Sequence, residues 1–424
     1  MEDGSLRSYG LVLSKIKTTD QLFRHGHGIA RATRPRTEEQ RQADIDKIAR
    51  YRTLEDDIRN RVSRQDYDHD TFGLTSKLLR QNPEYYTVWN IRRQCLTSGS
   101  SSKPWAMSSL SKGSSTFSVT GTSHRASASS SPPFSTETPP SHDSPTTGTS
   151  GTTAEATEDR QMRDLEIIKS ELVFTVPLLM EFPKCYWIWN YRLWTLGQAI
   201  VRLPTHVARK VWDEELGLVG KMLHRDRRNF HAWGYRRYVV DQLESAALAG
   251  QSMTESEFEY TTKMIRMDLS NFSAWHYRSQ LIPQLLRERG ADDQARQKFL
   301  DDELALIRDG LNVGPEDQSL WFYHQFLASN IIDDACSQTI APALSLDQRR
   351  SYIEREIDEM KDLLEDYTDV KWIYEALIQY TQSLGRLGQQ ARPTELNGWL
   401  AQLKSLDPQR TGRWNDLEAQ LHAA

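Results

Sequence analysis

Apolar side chains recur along this chain at the spacing of an α-helix. Around Trp189, Tyr186 lies three residues earlier and Leu193 and Leu196 lie four and seven residues later, which places all four on one helix face. We predict that this face is buried. A second amphipathic stretch, residues 206–224, precedes the next such segment. Single helical hairpins cannot bury their apolar stripes alone, so we expect them to stack in an all-α solenoid.

The helical pattern is carried by a sequence repeat. Each copy has a central tryptophan, and most copies have a tyrosine two residues later and a basic residue three residues later. The five strong copies are centred on Trp89, Trp189, Trp233, Trp275 and Trp321. The last four of these lie 42 to 46 residues apart, too far apart for tetratricopeptide units of about 34 residues. Two fainter copies are centred on Trp372 and Trp414.

The repeated tryptophans and basic residues are interpreted as structural residues. An aromatic stripe at a fixed phase of a repeat is usually core packing. The basic residues are expected to stack on neighbouring rings or to pair with acids of the adjoining helix. They are Arg92, Arg192, Arg236, Arg278 and His324. A proline six residues before several of the tryptophans, as at Pro183, is predicted to stand at the first helical position.

Composition divides the chain into three kinds of segment. Residues 1–30 have no sustained period and are predicted to form a flexible tail. Residues 97–157 contain 31 Ser or Thr among 61 positions, too little apolar surface to offset the entropy of ordering, so we predict a disordered insertion. Residues 31–96 and 158–424 are predicted to form one helical-repeat solenoid, opened by a helix that Thr37 caps.

Charge and cysteine content exclude several classes of function. A net charge of −5 offers no basic field for nucleic acid. Because no apolar run approaches the length of a membrane span and no secretory leader is evident, we expect a cytoplasmic protein without a membrane span. Three cysteines without a CxxC pair indicate a reducing compartment and argue against a zinc site in this chain alone.

The sequence motifs of a self-sufficient active site are absent. There is no Gly-rich phosphate loop, no HExxH and no GxSxG pattern. Acidic runs such as 213–215 and 301–303 are expected to be solvated helix faces. The sequence therefore argues against an enzyme whose active site is complete in this one polypeptide.

One lysine stands apart from the repeat pattern. Lys184 follows Pro183 directly and is predicted to lie in the first turn of a helix, where unpaired N–H groups and the helix dipole favour an anion. Arg227, Arg228 and His231 cluster at the corresponding place in the next copy, and stacked repeats would bring these helix starts onto one edge. The residues suggest a phosphate site, although an exposed lysine in a first turn is more often only solvated.

The chain resembles the α subunits of protein prenyltransferases in its repeat copies FPKCYWIWNYRLWTL, NFHAWGYRRYVV, NFSAWHYRSQLIPQLL and GPEDQSLWFYHQFL. Within that family, the similarity is greatest to the α subunit of Rab geranylgeranyltransferase. It covers residues 27–424 without the insertion and includes the leading helix. The resemblance implies an α-α superhelix, a right-handed solenoid of antiparallel hairpins, that forms a heterodimer with a separate β subunit.

The resemblance also implies an activity and its partners. In that family the β subunit holds a zinc ion and most of the lipid pocket, and geranylgeranyl passes from geranylgeranyl diphosphate to a cysteine thiolate. The expected substrates are C-terminal cysteines of Rab GTPases, which a Rab escort protein delivers. The expected enzyme is a protein geranylgeranyltransferase type II that is active only as a heterodimer.

Site residues follow from the family's motif. Lys184 matches the lysine of the P-K-x-Y-x-x-W motif, which reaches towards the diphosphate, and Tyr186 and His231 are expected near the same active-site rim. Phe230 stands where farnesyltransferase relatives often have a tyrosine. His27 is a candidate self-blocking ligand of the β subunit's zinc, and this chain by itself is expected to bind no metal.

Trp187 helps to choose the branch of the family. The α subunit shared by farnesyltransferase and type I geranylgeranyltransferase has a glutamine there, which holds the substrate's terminal carboxylate, and an indole cannot replace that amide. The leading hypothesis is therefore the α subunit of a Rab geranylgeranyltransferase. Two alternatives stay open: the shared α subunit just described, and a helical-repeat scaffold that only binds partners.

Overall fold

The computed structural model describes residues 37–97, 150–332, 339–389 and 392–423, except for the side chains of 150–155 and 422–423. Within those ranges all regular structure is helical and no β-strand occurs. The prediction of an all-α fold is confirmed. The predicted tail and most of the predicted insertion lie outside the described residues.

The chain divides into two compact units, residues 1–211 and 212–424. The helices of the first unit are α1 (Glu38–Ser63), α2 (His69–Gln81), α3 (Tyr86–Thr97), α4 (Ser150–Glu181) and α5 (Tyr186–Arg202). Here α2 packs on α3, α4 packs on α5, and α3 packs on α5. Successive hairpins therefore meet through their second helices. Thr37 caps α1 as predicted, because its hydroxyl accepts a hydrogen bond from the Gln40 N–H at 3.3 Å.

The helix that contains the division between the units is α6 (Thr205–Arg225). It is followed by α7 (Phe230–Glu244), α8 (Thr254–Met267), α9 (Phe272–Glu288), α10 (Asp293–Val313), α11 (Gln318–Ile332), α12 (Leu346–Asp366), α13 (Lys371–Arg386), α14 (Pro393–Leu406) and α15 (Thr411–Ala423). The hairpins α8–α9, α10–α11 and α12–α13 stack because α9 packs on α11 and α11 packs on α13. Stacking of helical hairpins is thus confirmed within this unit, while a single solenoid over 31–96 and 158–424 stays a prediction.

Helix α4 begins at Ser150, inside the segment 97–157 that was predicted to be disordered throughout. No proline occurs between Ser150 and Pro177. Once a helix is nucleated by its packed part, each further residue adds a hydrogen bond. The helix therefore extends backwards from its buried end at no cost in nucleation.

The repeated tryptophans tie each second helix to the turn before it. They are 0 to 5% exposed, which confirms the prediction of core packing. Each indole N–H donates to the backbone carbonyl six residues earlier, at 2.6 to 2.9 Å. The acceptors in three copies are Pro83, Pro183 and Pro315, which lie in the turns and not at the first helical position. The prediction about these prolines was wrong, because a turn separates each proline from its helix.

The sixth copy has a different register from the prediction. Trp372 is only half-buried, whereas Tyr374 is 5% exposed. The Tyr374 hydroxyl donates to the Thr368 carbonyl six residues earlier, at 2.8 Å. A phenol therefore takes the place of the indole in this copy, and centring it on Trp372 was wrong. The last copy keeps a buried Trp414, whose indole N–H donates to the Asp407 carbonyl at 3.1 Å.

The repeated arginines are structural, as predicted. Three of them make two-point ion pairs with N–O distances of 2.5 to 2.8 Å: Arg92 with Glu171, Arg236 with Glu257 and Arg278 with Glu303. The same three guanidinium groups lie 3.5 to 3.8 Å from the ring centroids of Phe72, Tyr260 and Phe258. Both expected contacts, ring stacking and ion pairing, therefore occur together. Arg192 donates to the Leu172 carbonyl at 2.6 Å and to the Thr175 hydroxyl.

Several buried glutamates in the first helices of the hairpins were not predicted from the sequence. Glu215 and Glu303 are 2% and 4% exposed, so the prediction that their acidic runs are wholly solvated was wrong for these two residues. Each accepts a hydrogen bond from a tyrosine 20 residues later, Tyr235 or Tyr323, at 2.5 Å. Glu171 does the same with a tyrosine at that spacing. This constant spacing is the signal that could have identified them as core residues.

Candidate functional site

Lys184 lies in the turn between α4 and α5, and not inside a helix as predicted. Helix α5 begins at Tyr186, and its N-cap, Cys185, makes no side-chain hydrogen bond to the first helical N–H groups. The Lys184 side chain is exposed and has no hydrogen bond or ion pair within the described part of the chain. An exposed cation beside a helix start without a side-chain cap is suited to an anionic ligand.

The turn that carries Lys184 is fixed from both sides. The Cys185 N–H donates to the Phe182 carbonyl at 3.0 Å, which closes the turn. The Trp189 indole donates to the Pro183 carbonyl at 2.9 Å, which ties the turn to α5. The position of the Lys184 backbone therefore follows from the repeat architecture.

Cys185 is a structural residue of this turn. Its thiol is 2% exposed and its Sγ lies 3.5 Å from the Pro83 carbonyl oxygen, in the turn of the preceding copy. Burial raises the pKa of the Cys185 thiol to about 11. At neutral pH the group is protonated, so it is neither a nucleophile nor a metal ligand.

Tyr186 lies at the surface, contrary to the predicted buried face. It is 38% exposed, and its ring meets that of Trp187 edge-on at 5.3 Å. Trp187 also contacts Tyr86 of the preceding second helix, with ring centroids 5.3 Å apart. The buried face of α5 is instead formed by Ile188, Trp189, Tyr191, Arg192, Thr195, Leu196 and Ala199. Tyr186 lies outside this face, at the first position of the helix.

His231 belongs to the second unit, whereas Lys184 and Tyr186 lie two residues apart in the first. It is the second residue of α7, where its backbone N–H donates to the side chain of the N-cap Asn229 at 3.1 Å. Its half-buried ring lies 4.0 Å from the exposed ring of Phe230. The prediction that all these helix starts share one edge stays a prediction.

The arginines beside His231, part of the predicted cluster at this helix start, both contact the next turn. Arg228 makes a two-point ion pair with Asp268 of the next turn, at 2.8 and 2.9 Å. This hydrogen-bonded pair raises the pKa of Arg228 and lowers that of Asp268. Arg227 donates to the Met267 carbonyl at 3.4 Å. Both arginines thus join neighbouring turns, which sets them apart from Lys184.

The repeat pattern has a known counterpart. Residues 68–99, 168–199, 212–243 and 254–285 match the family described as protein prenyltransferase alpha subunit repeat. The geranylgeranyl transferase type-2 subunit alpha of Saccharomyces cerevisiae is 30% identical over 310 residues, which cover 72% of this chain and 73% of that protein. The chain belongs to the protein prenyltransferase α subunit family.

Other proteins are similar over more of the chain. The geranylgeranyl transferase type-2 subunit alpha of Schizosaccharomyces pombe is 28% identical over 408 residues, covering 93% of this chain and 98% of that protein. A solved structure, the Candida albicans protein geranylgeranyltransferase-I complexed with GGPP, matches with a TM-score of 0.49 and 18% identity. That match covers 88% of this chain and 91% of the other.

Two kinds of site do not occur in the described part of this α subunit. No group of three or more His, Cys, Asp or Glu side chains there is placed to hold a metal ion. No helix there is both long enough and apolar enough to cross a membrane. His27, the candidate self-blocking zinc ligand, lies outside the described residues.

Proposed function

We propose that this chain is the α subunit of a heterodimeric Rab geranylgeranyltransferase. The enzyme transfers geranylgeranyl from geranylgeranyl diphosphate to C-terminal cysteines of Rab GTPases and forms a thioether. The observation that carries the proposal is the 30% identity over 310 residues with the Saccharomyces cerevisiae type-2 subunit alpha. The exposed Lys184 in its fixed turn supports a role for this chain in the chemical step, and not only in binding.

The two subunits supply different groups to the reaction. Zinc and most of the lipid pocket belong to the β subunit, and the ion favours the thiolate form of the substrate cysteine. In the transfer, a carbon–sulfur bond forms at the first carbon of the lipid while the carbon–oxygen bond to diphosphate breaks. The cysteine proton is lost to solvent, and negative charge grows on the departing diphosphate.

Lys184 acts on that growing charge. A cation that is already in place when the bond breaks lowers the barrier, because little reorganisation is needed during the reaction. The exposure of Lys184 and its lack of a partner within the described chain leave its ammonium free to reach the leaving group. Tyr186, the exposed first residue of α5, and His231 are proposed to lie at the rim of the same site.

Trp187 favours substrates that arrive with an escort protein. Its half-buried indole is packed between Tyr86 and Tyr186 and offers no side-chain amide to a terminal carboxylate. An enzyme without that contact does not recognise a short C-terminal motif by itself. Rab GTPases presented by a Rab escort protein meet this requirement.

The test is purification of the tagged chain from its own cells, followed by partner identification and a transfer assay with labelled geranylgeranyl diphosphate. We expect a β subunit in the purified complex and lipid transfer to a Rab only when both subunits and the escort protein are present. Transfer to a short CaaX peptide without the escort would instead identify the α subunit shared by farnesyltransferase and type I geranylgeranyltransferase. A complex without any transfer activity would identify a binding scaffold.

A further inference from the structure

Two of the second helices carry a pair of adjacent arginines that have different surroundings. The pairs are Arg92-Arg93 in α3 and Arg236-Arg237 in α7. The first arginine of each pair is buried and makes a two-point ion pair with a glutamate. The second arginine is half-buried and has no ion pair with any carboxylate that the structure describes.

Arg93 is surrounded by neutral groups. Its Nη1 donates to the Asn90 side-chain oxygen at 3.1 Å, and its Nη2 donates to the Asn190 side-chain oxygen at 2.7 Å. Its Nε is buried and has no hydrogen-bond partner. The guanidinium carbon lies 5.6 Å from the ring centroids of both Tyr191 and Trp194. Burial lowers the pKa of Arg93, as expected for a charge that no carboxylate balances.

Arg237, at the same repeat position in the second unit, also has no carboxylate partner among the described residues. Its side chain makes no hydrogen bond to the residues that the structure describes, and its guanidinium lies 5.8 Å from the Tyr277 ring. Burial lowers its pKa, and burial together with Arg237 also lowers the pKa of the neighbouring His276. Asp241, one helical turn further on, accepts a hydrogen bond from Gln242 at 3.3 Å and lies beyond ion-pair distance of Arg237.

An arginine that is removed from water without an anion is unfavourable for the isolated chain. In both units the arginine at this repeat position has no carboxylate partner among the described residues, each time beside an arginine that is fully paired. The planar guanidinium fork fits a carboxylate through two parallel hydrogen bonds. Arginines of this kind are frequent among the residues that dominate protein interfaces. The missing acceptor is therefore expected to come from another protein.

We propose that Arg93 and Arg237 are anchor residues for the β subunit, and that each guanidinium receives a carboxylate of that subunit when the heterodimer forms. The inference rests on the proposed function, which supplies the partner. Charge complementarity indicates the chemistry of the contact, because a carboxylate balances the cation and fits its planar fork through two parallel hydrogen bonds. Arg92 and Arg236 have no such role, since glutamates of this chain already occupy them.

The test measures the dissociation constant of the purified heterodimer for the wild-type chain and for the variants Arg93→Gln and Arg237→Gln. We expect each substitution to weaken association at least 10-fold, which corresponds to about 1.4 kcal/mol. The loss should shrink at high salt, because the contact is ionic. Arg237→Lys should recover part of the affinity, since it keeps the charge but not the fork.

The matched control is Arg266→Gln, which removes an exposed arginine of α8 that has no hydrogen bond among the described residues. It should leave the dissociation constant unchanged. Unchanged heterodimer affinity in both test variants would overturn the inference, as would a loss confined to binding of the escort protein or the GTPase. If the wild-type chain forms no heterodimer, the proposed function itself fails, and the two failures are thus distinguishable.

A second measurement separates an interface role from a folding role. Denaturant unfolding of the full chain without its partner should give Arg237→Gln a midpoint equal to or above that of the wild type. The reason is that the substitution removes a partly desolvated charge that no described carboxylate balances. A midpoint lowered as far as that of Arg236→Gln would assign Arg237 to the fold and overturn the inference.

Discussion

The ion pair of Arg278 with Glu303 and the turn of Lys184 hold positive charge in opposite ways. Both side chains of the pair are 5% exposed, and the glutamate also accepts a hydrogen bond from Tyr323. Lys184 is exposed, with no partner among the described residues. The repeat therefore uses its regular charges to join hairpins and leaves the irregular one available to a ligand. The position of a basic residue in the repeat, more than its type, therefore determines whether it is buried in an ion pair or exposed to a ligand.

The largest effect is expected where the interior pair is broken. Arg278→Met leaves the buried Glu303 carboxylate without its counter-ion, which should lower the free energy of unfolding by about 3 to 5 kcal/mol. Denaturant unfolding of the full chain measures this. The double variant Arg278→Met with Glu303→Leu should recover most of the loss, because no uncompensated charge remains.

The control for this substitution is the exposed pair of Arg289 with Glu255, whose side chains are 42% and 54% exposed. Arg289→Met should cost only about 0 to 1 kcal/mol, because water and salt screen the interaction. An equal loss of unfolding free energy in the Arg278 and Arg289 variants would contradict the structural role of the buried arginine–glutamate pairs.

The link between the interior and the turn is tested at Trp189. Trp189→Phe removes the indole N–H that donates to the Pro183 carbonyl at 2.9 Å. We expect a loss of about 1 to 3 kcal/mol in the free energy of unfolding, since a hydrogen bond to a largely buried acceptor is lost. Wild-type stability in this variant would show that the bond does not fix the turn.

Lys184→Ala is expected to act on turnover and not on folding. Loss of the cation should reduce the rate of lipid transfer by the heterodimer about 10-fold or more, or about 1.4 kcal/mol of transition-state stabilisation. Single-turnover kinetics with labelled geranylgeranyl diphosphate measure the effect on the chemical step. The heterodimer should still assemble.

The control for Lys184 is Lys77→Ala, which removes an exposed lysine of α2 that has no partner in the described part of the chain. Transfer rates should be those of the wild type. If Lys184→Ala also retains wild-type turnover, the leaving-group role of this lysine is excluded.

The fold was largely predictable because tryptophan spacing and helical periodicity report on the same buried contacts. The Thr37 cap and the ring stacking of the arginines followed from local chemistry. Glu215 and Glu303 were assigned to the surface because a carboxylate is usually solvated, and only the three-dimensional pairing reveals that both are buried. Tyr374 was missed because a phenol replaces the indole in its contact with a carbonyl.

The candidate site was less predictable than the fold. Lys184 stood out because it is absent from the other copies, but its place in a turn depends on the hydrogen bonds around Pro183. At the predicted cluster of Arg227 and Arg228, the sequence does not reveal that Asp268 of the next turn pairs with Arg228. Charges near one another in sequence therefore identify a site only after their partners are known.

The smallest effect is expected at Asp268, which joins turns through the largely exposed Arg228. The hydrogen bonds from Arg228 lower the pKa of the Asp268 carboxyl. A lowered pKa in the folded state adds stability above the unfolded pKa of about 3.9, and this contribution is lost as the pH falls through the folded value. At neutral pH, Asp268→Asn should therefore cost less than about 1 kcal/mol, because the Arg228 side chain is 59% exposed.

Denaturant unfolding of wild type and Asp268→Asn at neutral and acidic pH measures this contribution. The difference between the two proteins should be present at neutral pH and should vanish once Asp268 is protonated in the folded wild type. Other carboxylates titrate over the same range, but they are common to both proteins and cancel in the difference. A difference that stays constant with pH would mean that Asp268 stabilises the turn through the shape of its side chain and not through its charge.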